Sequence, residues 1–171
     1  MWVLIEDYGI ERLKERITKP LSGLALAPFY GCYVVRPTEK LGYDEYPERG
    51  TYLEKLISVI GATAVDFSGK TKCCGFPILT MNRDNSLRMA GSHLLEAKEQ
   101  GADAMVTPCP LCHLNLDGQQ PEAAKIYKTQ INLPVIHLPQ ILGLAMNIEP
   151  RRLGLNKHIV SSSAVAAKVP A

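Results

Sequence analysis

The chain has 171 residues, 46% of them hydrophobic, and its 19 basic and 17 acidic side chains leave a formal net charge of +2. This length and composition suit one domain with a real hydrophobic core. The near-neutral charge, without a polybasic run, argues against a nucleic-acid-binding or membrane-surface protein. The N-terminal MWVLIEDYG lacks the basic region of a secretory signal, so we expect a cytoplasmic protein.

The first third of the chain predicts a helix, a strand and a second helix. Residues 1–22 form a helical lead-in, with an amphipathic pattern over residues 5–17. The apolar run LALAPFYGC predicts a first buried strand that ends at Cys32, followed by a loop over residues 36–47. Thr51 and Glu54 have the spacing of a capping box, which predicts a helix that ends near Gly61.

The remaining elements continue this alternation. After a second strand, ATAVDF, Asn82 or Asp84 caps a helix to about Gln100, and ADAMVTP forms a third strand. Residues 111–127 are helical on either side of a break at residues 118–121, LPVIHL is a fourth strand, and PQILGLAMNI is a final helix.

Strands separated by helices predict an α/β fold, a Rossmann-like parallel sheet of about four strands flanked by helices. The domain proper covers residues 23–160, and residues 161–171 are expected to form a flexible tail. The charge-free stretch at residues 129–148 is interrupted by polar residues and prolines, so no membrane span is predicted.

The five cysteines all follow predicted strands. Cys32 comes after the first, the adjacent pair Cys73 and Cys74 after the second, and Cys109 and Cys112 after the third. Because the carboxyl ends of parallel strands share one edge of the sheet, the five thiols are able to converge there and form a metal site. Unrelated buried structural cysteines are the weaker alternative.

Two kinds of metal centre fit these residues. Structural zinc needs four ligands, which leaves one thiol spare. An iron-sulfur cluster uses thiolates freely, and adjacent cysteines can reach two metal atoms, so the pair favours a polynuclear cluster.

The segments PFYGCYVVRP, KCCGFP, GADAMVTPCPLCHLNLD and HLPQILGLAM resemble the CCG (cysteine-rich) domain of the family formed by the B subunit of heterodisulfide reductase, in particular the C-terminal half of that subunit. The resemblance covers nearly all of residues 5–160. Related domains occur in succinate dehydrogenase-like, glycolate oxidase and lactate-utilisation proteins.

The resemblance implies that each CCG domain holds a non-cubane [4Fe-4S] cluster on five cysteines, and that two such domains together cleave a disulfide or sulfane-sulfur substrate reductively, or form it oxidatively. Carried over by position, the ligands are Cys32, Cys73, Cys74, Cys109 and Cys112. This chain has one motif where the B subunit has two, so it is expected to be a fragment, a split subunit whose second CCG domain lies on another chain, or a protein that works with a single cluster.

The resemblance also implies partners. These are an iron-sulfur protein similar to the C subunit of heterodisulfide reductase, a flavin protein similar to its A subunit, and a small thiol, disulfide or protein-bound sulfur as substrate. The alternatives are a structural zinc-binding domain and an electron-transfer module of a hydroxy-acid (glycolate or lactate) oxidoreductase.

Six further residues are weaker candidates, each with an ordinary structural alternative. His137 and Tyr30 are candidate catalytic groups, and His137 is also expected to pack locally against a helix start. His113 could hydrogen-bond a cluster sulfur or face solvent. Phe29, like Tyr30, could shield the centre or pack in the core. Arg36 and Arg83 are candidate sites for an anionic substrate.

Overall fold

The structure, a computed structural model that describes residues 1–168, has a four-stranded parallel sheet with helices on both faces. The predicted α/β fold is confirmed. The strands are Ala25–Pro28 (β1), Thr63–Ala64 (β2), Ala104–Thr107 (β3) and Val135–His137 (β4). The helices are Trp2–Glu6 (α1), Ile10–Lys14 (α2), Cys32–Val35 (α3), Tyr52–Val59 (α4), Arg83–Glu99 (α5), Pro110–Gly118 (α6), Gln120–Tyr127 (α7), Leu138–Ala145 (α8) and Ser163–Ala167 (α9).

The strand order across the sheet is β2-β1-β3-β4. Leu26 of β1 lies opposite Ala64 on one side and Ala104 on the other, and Thr107 lies opposite His137 at the end of β4. Since all four strands run in the same direction, the loops that follow them leave from one edge of the sheet.

The sheet separates two hydrophobic cores. Along β3, Ala104 and Val106 face the core that packs against α2, α4 and α8, whereas Met105 faces the core that packs against α5, α6 and α7. This two-residue alternation explains why the strands are apolar throughout, because both of their faces are buried.

Local capping interactions were predicted with mixed success. Asn82 caps α5, since its side chain accepts a hydrogen bond from the backbone N–H of Asn85 at 3.1 Å. The capping box at Thr51 is wrong, because the Thr51 hydroxyl donates to the Glu48 carbonyl at 2.9 Å and makes no capping bond to α4. The lead-in is two short helices, separated by Gly9 at φ 92°.

The strands β1 and β2 are shorter than the sequence predicts. β1 ends at Pro28, and Cys32 lies at the first position of α3. Beyond β1, the Tyr30 backbone N–H bonds to the Lys70 carbonyl at 2.8 Å, which belongs to a 3-10 turn rather than to a strand. The chain therefore leaves the sheet early on both strands, and the two loops contact each other above its edge.

Part of the expected flexible tail, residues 161–168, lies within the described residues. Val165 of α9 is buried in the same core as Leu155, and Lys168 forms an ion pair with Asp103 at 2.6 Å. Residues 169–171 of the expected tail lie outside the described residues. No helix within residues 1–168 has the length and apolar character needed to cross a membrane.

Candidate metal centre

The five cysteines lie in three loops at the carboxyl ends of β1, β2 and β3, and all five are free thiols. Cys74, Cys109 and Cys112 are buried in the core below α5 and α6, whereas Cys32 and Cys73 are partly exposed. Residues separated by up to 80 positions in the chain thus reach one region of the fold because three parallel strands end there.

The thiols lie close enough to affect one another's acidity. Burial and the thiols of Cys73 and Cys74 raise the pKa of Cys32, and the thiols of Cys74 and Cys109 raise the pKa of Cys112. Cys74 therefore lies near thiols of both other loops, Cys32 of the first and Cys112 of the third. A position between two loops suits the adjacent cysteines to a centre with more than one metal atom.

The pKa shifts differ in direction from thiol to thiol. The neighbouring Cys112 thiol lowers the pKa of Cys74 to about 7, and the Cys74 thiol, together with burial, raises the pKa of Cys112. Burial and the Cys73 thiol raise the pKa of Cys32. Crowded thiols cannot all ionise together without a cation to balance their charge, so this arrangement suits metal binding.

Two glycines allow the loops to approach closely. A Cβ on Gly31, at φ 71°, would lie 2.5 Å from the Cys112 sulfur, so a side chain there would push the first loop away from the third. A Cβ on Gly75, at φ 92°, would lie 2.8 Å from the Ser86 carbonyl oxygen of α5. Both positions need glycine for two reasons, the left-handed backbone and the lack of space.

Buried side chains hold the double-cysteine turn from below. The Asn115 amide donates to the Cys74 carbonyl at 2.8 Å, and a His93 ring nitrogen lies 3.0 Å from the Cys73 carbonyl. Asn115 is 1% exposed, and burial lowers the pKa of His93, which keeps its ring neutral. Sequence reasoning missed both residues, although Asn115, three positions after Cys112 and so on the same face of α6, is an available signal.

The third loop places its cysteines at the start of a helix. Cys109 is the N-terminal cap of α6, Pro110 occupies the first helical position, and Cys112 lies in the first turn. The Cys109 backbone N–H donates to the Thr107 hydroxyl at 3.3 Å, which fixes the exit from β3. Cys109 and Cys112 therefore both lie at the N-terminal end of α6.

The structure gives His113 and His137 local partners. A His113 ring nitrogen pairs with the Val135 carbonyl at 3.1 Å, and its ring lies edge-on to those of His137 and His158. His137 accepts a hydrogen bond from the Gln140 backbone N–H and so caps α8. Burial lowers the pKa of both His113 and His137.

The aromatic residues of the first loop lie on opposite sides of the sheet. Phe29 is fully buried in the same core as Cys74, Cys109 and Cys112, where its ring packs 5.5 Å from that of His93. Tyr30 belongs to the other core, where its hydroxyl donates to Glu54 and accepts from the Leu53 backbone N–H at 3.0 Å. Burial raises the pKa of Tyr30. Because Phe29 shares a core with Cys74, Cys109 and Cys112 and Tyr30 does not, Phe29 is the aromatic residue beside the thiols.

The two arginines have different surroundings. Arg83 approaches the Glu122 carboxylate at 3.9 Å and donates to the Gln119 side chain at 3.2 Å. Arg36 lines an open cavity of about 710 Å³ next to Cys32. Of the two, only Arg36 is brought to the cysteines.

A second group of potential ligands lies on the far side of α6. His113, Asp117 and His158 have ligand atoms within 4.8 Å of one another. The Asp117 oxygens already accept the backbone N–H groups of Ile159 and Val160 at 2.8 and 3.0 Å. The group therefore fastens the chain after α8 to α6, the helix that carries Cys109 and Cys112, and sequence reasoning missed it.

Two curated proteins are similar to this chain over most of its length. The chain is 37% identical over 95% of its length to the 8-methylmenaquinol:fumarate reductase membrane anchor subunit of Wolinella succinogenes, covering 56% of that protein. It is 35% identical over 97% of its length to the B subunit of the ferredoxin:CoB-CoM heterodisulfide reductase of Methanosarcina mazei, covering 55% of it. The chain thus spans about half the length of these curated relatives.

A solved structure shares the fold. A hypothetical protein from Helicobacter pylori superimposes with a TM-score of 0.65 at 20% identity, over 89% of this chain and 28% of the other. The sequence profile of the CCG cysteine-rich domain family matches residues 26–117, a span that includes all five cysteines. The chain is a member of the CCG cysteine-rich domain family and a homologue of the B subunit of heterodisulfide reductase.

Proposed function

We propose that the five cysteines bind an iron-sulfur cluster of the non-cubane [4Fe-4S] type, and that the chain is a redox component that acts on a disulfide or sulfane-sulfur substrate within a multi-subunit complex. The observation that carries the proposal is the placement of five free thiols in three loops at one edge of the sheet, where Gly31 of the first loop packs directly against the Cys112 sulfur of the third. The homologues are subunits of oxidoreductases by name.

The donor set supports iron-sulfur over zinc. All five donors are sulfur, and tetrahedral zinc would leave one buried or half-buried thiol without a role. Thiolates are the ligands that iron-sulfur clusters use, and Gly31 and Gly75 keep Cβ atoms out of the space around the sulfurs. When bound, such a cluster supplies electrons one at a time and iron atoms with affinity for sulfur.

The chain's own residues contribute position and exclusion of water. His93 and Asn115 hold the carbonyls of the double-cysteine turn, and the buried ring of Phe29 covers the sulfurs from the core. Cys32 and Cys73 remain partly exposed, so a substrate is expected to approach from their side. Fixed ligand positions limit the reorganisation that accompanies each electron transfer.

The proposed setting is a complex in the cytoplasm, since five free thiols persist in a reducing compartment. The proposed partners are an iron-sulfur protein similar to the C subunit of heterodisulfide reductase, a flavin protein similar to its A subunit, and a second CCG domain. Co-purification tests this setting: recovery of such partners supports it, and recovery of a hydroxy-acid oxidase instead contradicts it.

Anaerobic purification followed by iron, sulfide and zinc analysis and EPR spectroscopy tests the cluster. We expect about four irons per chain, and expect Cys74→Ser to lose them while the metal-free chain keeps its far-UV circular dichroism. A colourless protein with one zinc and no sulfide would refute the cluster. Unchanged iron in the Cys74→Ser variant would refute the five-ligand set.

A further inference from the structure

The open cavity beside Cys32 has a distinctive lining. Its volume is about 710 Å³, and it lies between the start of α3 and the loop that follows that helix. Cys32 and the 60%-exposed ring of Tyr33 line it. Three charged residues, Arg36, Glu39 and Asp44, also line it.

These three charges have no protein partner. All three side chains are exposed, and none forms an ion pair or a side-chain hydrogen bond with any residue in the described range 1–168. In contrast, Arg83 and Arg88, which lie elsewhere on the surface, each approach a carboxylate. One guanidinium and two carboxylates are thus available to a molecule that occupies the cavity.

The balance of charge limits what that molecule can be. A carboxylate, sulfonate or phosphate group would be attracted to Arg36 but repelled by Glu39 and Asp44, and the lining has a net charge of −1. A purely cationic molecule would be attracted to Glu39 and Asp44 but repelled by Arg36. A molecule that carries both signs can pair with all three side chains.

We propose that the cavity beside Cys32 binds a sulfur compound that carries an ammonium group and a carboxylate on the same half, that is, an amino-acid or peptide thiol or its disulfide. Arg36 pairs with the carboxylate, Glu39 and Asp44 pair with the ammonium group, and the sulfur faces Cys32. The inference rests on the proposed function, because it places the sulfur of the substrate next to the proposed cluster ligands.

Three matched thioethers test this specificity without redox chemistry. S-methyl-L-cysteine carries both charges, 2-(methylthio)ethylamine carries only the ammonium group, and 3-(methylthio)propionate carries only the carboxylate. Since a methylated sulfur cannot undergo disulfide exchange, isothermal titration calorimetry on the anaerobically purified chain measures recognition alone. We expect S-methyl-L-cysteine to bind about twofold to fivefold more tightly than either analogue, the range for exposed charge pairs.

Single substitutions test which side chain of the cavity pairs with which charged group of the probe. Arg36→Gln should remove the preference for S-methyl-L-cysteine over 2-(methylthio)ethylamine. Glu39→Gln and Asp44→Asn should each improve binding of 3-(methylthio)propionate relative to S-methyl-L-cysteine. Glu99→Gln, an exposed carboxylate at the end of α5, is the matched control and should leave the ranking unchanged.

Two results would overturn the inference: 3-(methylthio)propionate binding as tightly as S-methyl-L-cysteine, or none of the three probes binding at millimolar concentration. Iron and sulfide analysis of the same samples separates this failure from failure of the proposed function. A sample with iron and sulfide but the wrong ranking refutes only the specificity. A sample without them that keeps the expected ranking refutes only the cluster.

Discussion

Replacing Gly75 with alanine tests whether the double-cysteine turn depends on its close contact with α5. The added Cβ would lie 2.8 Å from the carbonyl oxygen and 2.9 Å from the Cα of Ser86, both backbone atoms of a 17-residue helix, so neither can rotate away. The backbone at φ 92° adds a second cost. We expect Gly75→Ala to lower the free energy of unfolding by about 2–5 kcal/mol, the sum of a left-handed non-glycine residue and an overpacked contact.

Two other glycines separate these contributions. Gly101 has φ 86°, and a Cβ added there would have no atom within 4 Å, so Gly101→Ala should cost only the backbone contribution, about 1–2 kcal/mol. Gly50 lies outside the left-handed region and is equally uncrowded, so Gly50→Ala should change stability by less than about 0.5 kcal/mol. Urea unfolding of the three variants gives the comparison directly.

Thermal unfolding and metal analysis extend the test to the thiols. For a chain of this size the expected loss corresponds to a fall of roughly 5–15 °C in Tm. Because the turn carries Cys73 and Cys74, Gly75→Ala should also reduce iron uptake, whereas Gly101→Ala should not. Equal urea midpoints for the Gly75 and Gly101 variants would refute the steric argument, and normal iron uptake would refute the link to the thiols.

Three further substitutions test other contacts. Asn115→Leu removes the donor to the buried Cys74 carbonyl and should cost about 1–3 kcal/mol in urea unfolding. Tyr30→Phe leaves the Leu53 N–H unpaired in the core and should cost a similar amount, about 1–3 kcal/mol, with iron content unchanged. The pKa of His137 is lowered by burial, so the folded chain binds fewer protons than the unfolded chain below about pH 6.5, and stability should fall as the pH is lowered from about 7 to about 5. His137→Asn keeps an acceptor for the helix cap and should reduce this slope.

Matched controls decide how these results are interpreted. Asn85→Leu places the same change on the exposed surface of α5, and Tyr33→Phe removes a tyrosine hydroxyl from a 60%-exposed ring, so neither should affect stability by more than about 0.5 kcal/mol. If Asn115→Leu matches Asn85→Leu, the Cys74 carbonyl does not depend on Asn115. A stable Tyr30→Phe variant that loses iron would instead connect Tyr30 with the metal centre. An unchanged pH slope in His137→Asn would show that another group titrates.

Sequence patterns predicted the secondary structure correctly where a few neighbouring residues decide the local conformation. The alternation of apolar strands and amphipathic helices predicted the four parallel strands, and the sequence placed the cap of α5 at Asn82 or Asp84, of which the structure shows Asn82. The predicted capping box at Thr51 is absent because the Thr51 hydroxyl donates to the Glu48 carbonyl, within the preceding 3-10 turn Pro47–Thr51. Sequence spacing cannot distinguish these two uses of the same side chain.

The candidate site followed the same division. The five cysteines were identified because they follow predicted strands. His93 and Asn115, which bond to the carbonyls of Cys73 and Cys74, lie on helices whose orientation depends on packing in the core beneath α5, α6 and α7. Tyr30 and Phe29 are adjacent in sequence and both fully buried, yet they enter opposite cores, because successive residues at the end of a strand point to opposite faces.

The sequence by itself determined the fold class and the five thiols, because two-residue and helical periodicities and the placement of cysteines after strands are local properties of the chain. Only the tertiary structure decided which thiols face each other, which side chains hold the turn, and which charges surround Cys32. Those outcomes depend on contacts between loops 40 or more residues apart, such as the approach of Gly31 to Cys112, and such contacts exist only after the sheet and both cores have assembled.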